Sequence, residues 1–223
     1  MNSELIILLV VVALPLIAQL KIKATYSKYA KIMSNRRING KDAARKILNS
    51  NGLEKVDIYK VAGSLTDHYD PRNKTVSLSN SIYEESSISS IAVAAHECGH
   101  AIQDKISYSF MRFRSKMVPV VNITSSISSI FIVLGFFTEV IGFIKIGILL
   151  LSVGLLFQLI TLPVEFDASR RAKEELYKLG LVDEKERKGV TKVLNAAAFT
   201  YVAGFLASAL QIVRLVLISR RRN

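Results

Sequence analysis

Four stretches of the chain are apolar almost without interruption, and amphipathic or charged segments separate them. Residues 5–20 form the first, almost continuously apolar and interrupted by Pro15, and they reach spanning length if Lys21 and Lys23 snorkel to the interface. Residues 118–137 and 144–162 are each long enough to cross a bilayer, and a short turn carrying Thr138, Glu139 and Lys145 joins them into a hairpin. The fourth run, residues 193–218, contains Asn195, Gln211 and Arg214. It is read as a further spanning helix, or as one that first packs on a soluble part and then lies along the membrane.

Between the first two runs the pattern shortens. Asn39-Gly40-Lys41-Asp42 leads into a helix over residues 43–49 with Ala44, Ile47 and Leu48 on one side, closed by Asn51-Gly52. Residues 56–61 alternate as a strand. Residues 65–69 and 75–78 flank Asp70-Pro71-Arg72-Asn73, a turn signal between antiparallel strands. Residues 88–103 hold no proline and one glycine, Gly99, with Ser86 or Ser87 placed to cap the start, so a helix is expected there. It is apolar nearly all round, which predicts burial. After the hairpin, residues 174–180 read as a charged amphipathic helix and residues 183–188 as a solvated helix start.

Charge decides orientation. Of 223 residues half are hydrophobic and the formal net charge is +12, yet the basic residues sit at the edges of the apolar runs, as in a membrane protein and not a nucleic-acid binder. Lys21, Lys23, Lys28 and Lys31 follow the first run, whereas Glu4 precedes it, which favours an uncleaved anchor over a signal peptide. Arg112, Arg114 and Lys116 precede the hairpin, and Arg170, Arg171 and Lys173 follow it. The positive-inside rule therefore puts these flanks in the cytoplasm, with the N-terminus and the hairpin turn outside. Only Arg220-Arg221-Arg222 runs against it if the last run spans. One cysteine excludes an internal disulfide framework.

The candidate chemistry lies in the buried helix, at His96-Glu97-Cys98-Gly99-His100. Histidines four apart on a helix share a face and can converge on one ion, with Glu97 beside it able to take a proton from an attacking water. That is the H-E-x-x-H arrangement of zinc peptidases, in which zinc makes hydroxide accessible near neutral pH and polarises the scissile carbonyl. Two core histidines satisfied by hydrogen bonds would be a plainer reading, but the chain has only three and two fall here. Cys98 is turned away from their face and is read as a packing residue. A third ligand must come from another segment. Glu165, where the chain re-enters the cytoplasm, is the candidate; a helix starting there would carry Ser169 on the same face and turn Asp167 away. His68, in the strand hairpin, is the alternative ligand or an oxyanion donor. The edge of that hairpin could take an extended peptide by strand addition.

His96-Glu97-Cys98-Gly99-His100-Ala101-Ile102-Gln103, then two apolar runs, then Leu162-Pro163-Val164-Glu165-Phe166-Asp167-Ala168-Ser169-Arg170-Arg171-Ala172 resemble the YugP-type membrane zinc metallopeptidases. Residues 65–71, 194–198, Thr200 and Tyr201 extend the likeness over nearly the full length. The order of parts is similar to that of the integral-membrane gluzincins, which implies Glu165 as the third zinc ligand. One departure is Ser169, which stands where the gluzincin pattern E-x-x-A-D has aspartate.

The expectation is a mainly α integral membrane protein of the cell membrane, multi-pass, with three to four transmembrane helices and a small α+β zincin-like domain. Its parts are an anchor at 5–22, a cytoplasmic zincin domain at 26–117, a transmembrane hairpin at 118–162, a cytoplasmic segment with the third ligand at 163–193 and an apolar helix at 194–218. One Zn2+ per chain would be held by His96, His100 and Glu165, with Glu97 as general base and His68 or Tyr201 as oxyanion donor. The expected activity is metalloendopeptidase action on protein or peptide substrates, membrane proteins among them, at the cytoplasmic face. The bilayer is the other expected partner and nucleic acid is not one. A zinc-binding membrane adaptor without turnover is the rival, and it would have no use for Glu97. A transporter would need an ionisable cluster within the central spans, and none is present.

Overall fold

In the computed structural model, which describes residues 3–221, the apolar runs become long helices and the interval after the first folds into a small α+β layer. Helix α1 (Ser3–Ala30) includes Pro15. Helix α2 (Gly40–Ser50) starts at Asn39, whose side chain accepts from the Asp42 amide at 2.7 Å, and it ends before Gly52, at φ +64°. Strands β1 (Asp57–Val61), β2 (His68–Asp70) and β3 (Thr75–Ser79) make one sheet in the order β1-β3-β2. The β2/β3 hairpin is antiparallel as expected, its turn held by Asp70, which accepts from the Arg72 amide at 2.8 Å and the Asn73 side-chain amide at 2.7 Å. Pairing of β1 with β3 is parallel, so β2 is left as the edge beside the histidine helix.

A short helix α3 (Asn80–Glu84) connects to α4 (Ile88–Lys105), which carries the histidines. Ser87 caps α4 by accepting from the Ser90 amide at 3.1 Å. Ala43, Ala44, Ile47 and Leu48 of α2, Ile91, Ala94, Ala95 and Cys98 of α4, and Val76 and Leu78 of β3 belong to one apolar cluster. Burying an Ile or Leu side chain completely contributes about 1.5–3 kcal/mol, so this cluster is what holds α4 in place.

Helices α5 (Ser109–Thr138), α6 (Ile141–Lys178) and α7 (Glu184–Arg221) complete the chain. With α1 they make four helices, among the described residues, that are long and apolar enough to cross a membrane. The protein is thus a mainly helical membrane protein with a small α+β part. Arg222 of the basic tail lies outside the described residues. A helix starting near Glu165 was one reading of this segment, whereas α6 runs through Pro163 without a break. Proline removes one donor and crowds the preceding turn; the helix formers that follow, from Ala168 to Leu176, carry the helix across that defect. At the start of α7 Asp183 and Glu186 cap each other reciprocally, each side chain taking the other's amide at 3.0 and 2.8 Å.

The chain divides into two compact units. One comprises the chain up to Gln19, Arg112–Pro163 and the chain from Thr200. Within it α5 and α6 pack closely: a Cβ on Gly147 would lie 2.5 Å from Ile132, and the buried Ser128 hydroxyl donates to the Gly147 carbonyl at 2.8 Å. Ser128 thus serves helix contact, the ordinary role of small polar residues between helices in a bilayer. The other unit comprises Leu20–Met111 and Val164–Phe199, and it contains every residue of the site described next.

Candidate metal centre

Helix α4 and the part of α6 after Pro163 supply the site. They touch at Gly99, where an added Cβ would lie 2.5 Å from the Ala168 carbonyl oxygen, so only glycine permits this approach. One turn to either side of that contact the polar groups face each other. Glu165 Oε2 lies 3.3 Å from His96 Nε2 and 3.6 Å from His100 Nε2. One ligand atom from each of the three residues falls within 4.8 Å of the others. The two imidazoles stand edge to face, centroids 4.8 Å apart at 81°. Glu165 is 1% exposed and His100 8%. A buried carboxylate aimed at two imidazole nitrogens is costly as a bare set and suits a divalent ion of zinc's preference, two nitrogens and one oxygen with a position left for water.

Glu97 is buried beside this set. Burial pushes its carboxyl above the usual carboxylate range; His96 and His100 pull it partly back, and Glu165 and Asp67 push it up again. A carboxylate with a raised affinity for protons is suited to take one and return it.

The supporting contacts differ for the two histidines. Ser169 Oγ lies 3.2 Å from His96 Nδ1, so the residue standing in place of the usual aspartate does reach a ligand. His100 Nδ1 lies 3.0 Å from Gln103 Oε1, and Gln103 donates through Nε2 to the Val164 carbonyl at 2.8 Å and to Asp167 Oδ2 at 2.9 Å. Asp167 therefore does not turn away from the site: about 200° round the helix from Glu165, it lies on the other flank of the buried face formed by Val164 and Ala168, and its carboxylate reaches Gln103. The role of Gln103 was missed in the sequence; the signal available there was a polar residue three positions after His100 on a helix otherwise apolar enough to be buried.

Three further residues were singled out in the sequence. His68 is exposed on β2, its Nδ1 bonded to the Thr66 carbonyl at 2.8 Å, and it is not one of the converging donors. Of the two candidates for third ligand, it is Glu165, carried by α6, that lies with the histidines. Tyr201 is 38% exposed on α7. Cys98 is fully buried among α2 and α4 residues, its thiol 3.6 Å from the Ala44 carbonyl and pushed up by burial, as befits packing.

Residues 4–220 match the family described as "Putative neutral zinc metallopeptidase". Among curated proteins the chain is 45% identical over 201 residues to the "Putative membrane protease YugP" of Bacillus subtilis (strain 168), covering 90% of this chain and 89% of that relative. No solved structure matches. With a His2Glu donor set on α4 and α6 and a family match over almost its whole length, the chain belongs to the neutral zinc metallopeptidase family.

Proposed function

We propose that the protein is a zinc-dependent endopeptidase of gluzincin type that hydrolyses peptide bonds at the cytoplasmic face of the membrane. The observation that carries this reading is the convergence of His96, His100 and Glu165 on one point with Glu97 buried beside them. One zinc per chain is held by the first three. When bound, zinc lowers the pKa of water to about 7 and polarises a peptide carbonyl. Glu97 takes the proton of the attacking water on its carboxylate and carries it to the leaving amine. His68 and Tyr201 are the candidate donors to the developing oxyanion. The free edge of β2, next to α4, offers main-chain groups to an extended substrate strand, which supports protein or peptide substrates, membrane proteins among them.

Zinc content and casein cleavage by detergent-purified protein, wild type beside Glu97→Gln, test this directly. One zinc per chain is expected in both, with cleavage by the variant lowered by roughly 10²–10⁴-fold, the usual contribution of a general base. Full cleavage by Glu97→Gln overturns the mechanism. Zinc in the wild type with no cleavage of any unfolded substrate favours the adaptor.

A further inference from the structure

Resting on that reading of the centre, we infer that Gln103 is a positioning residue that fixes which nitrogen of His100 faces the metal, and that Asp167 fixes the orientation of Gln103. The argument is one of matching donors to acceptors. Gln103 is wholly buried, so each of its polar atoms must be satisfied within the protein. On one side of the amide stand the Val164 carbonyl at 2.8 Å and Asp167 Oδ2 at 2.9 Å, both of which can only accept. The amide nitrogen with its two hydrogens must therefore lie on that side. The amide oxygen is then left facing His100 Nδ1 at 3.0 Å, and since an amide oxygen cannot donate, Nδ1 carries the hydrogen. That leaves Nε2, the nitrogen 3.6 Å from Glu165, with its lone pair toward the centre.

A reversed amide would set its oxygen against a carbonyl and a carboxylate at once. Asp167 keeps that penalty in force, because Arg171 Nε at 2.6 Å and Arg170 hold it as a charged acceptor. The order of control thus runs from the two arginines through Asp167 and Gln103 to His100. No such instruction reaches His96. Its partner, the Ser169 hydroxyl, can donate or accept and so leaves the tautomer open. The second histidine is pre-set for the ion; the first adapts to it.

The test is zinc affinity, measured by competition with a chromogenic chelator on monodisperse full-length protein, for wild type, Gln103→Leu, Gln103→Glu and the Gln103→Glu/Asp167→Asn pair. Losing the partner of a ligating histidine costs about 10–100-fold in metal affinity, which is expected for Gln103→Leu. Gln103→Glu sets a second carboxylate against Asp167 and is expected to weaken zinc as well. Adding Asp167→Asn supplies a donor to that carboxylate, so the pair should bind more tightly than Gln103→Glu alone, a rescue that general loss of packing would not produce. Wild-type affinity in a folded Gln103→Leu overturns the inference while leaving the zinc centre standing, and so does a pair no tighter than Gln103→Glu if Gln103→Leu fails to fold. A wild type that holds no zinc overturns both.

Discussion

Gly99 sets the distance between the two helices that carry the ligands. A methyl group there would meet the Ala168 carbonyl, a backbone atom that cannot rotate away, so α4 or α6 must shift. Overpacking of this kind costs about 1–3 kcal/mol, against which alanine returns about 1 kcal/mol of helix propensity over glycine. Gly99→Ala should therefore remain folded, with a melting temperature within a few degrees of wild type, and yet hold zinc at least about 10-fold less tightly, on the scale of other losses around a ligand set. Equal zinc affinity in Gly99→Ala would show that this contact does not set the donor spacing. His96, Glu97 and His100 were legible because their spacing has one good chemical use. The tight contact at Gly99 was not legible, since what a glycine makes room for depends on the partner helix. Ser169 was half legible: its face followed from helix periodicity, whereas its reach to His96 depends on how far α4 and α6 approach.

Helix α4 was readable from end to end, because Ser87 caps it and the apolar surround of the histidines signals burial. The β2/β3 hairpin was readable from its turn chemistry. Two features were not. The parallel pairing of β1 with β3 leaves no mark on either strand, for alternation gives a strand its faces and not its neighbours. The passage of α6 through Pro163 contradicts the local rule that proline ends a helix, while the reach of Asp167 to Gln103 depends on how closely α4 and α6 pack, which neither segment states alone. Glu165 was a candidate from the need for a third donor on a segment after the hairpin, and the resemblance strengthened it.

With four helices of spanning character, both ends of the chain fall on one side if each crosses. The orientation we propose from the basic flanks has the segments after α1, before α5 and after the apolar part of α6 in the cytoplasm, with the turn at Val140 and the end of α7 outside. Because Cys98 is buried and its thiol is held protonated, added cysteines can be read against a silent background. Val140→Cys and Arg220→Cys should react with a membrane-impermeant maleimide in intact cells, and Lys178→Cys only after permeabilisation. The opposite pattern inverts the orientation, and protection of Arg220→Cys alone removes the fourth crossing.

The most direct test of the centre is zinc per chain in purified Glu165→Ala beside wild type, each checked for monodispersity. Glu165 is the proposed ligand from α6, so the expected result is one zinc in wild type and little in the variant. A full complement of zinc in Glu165→Ala would contradict the His96, His100 and Glu165 centre and, with it, the account of how this fold builds a peptidase site.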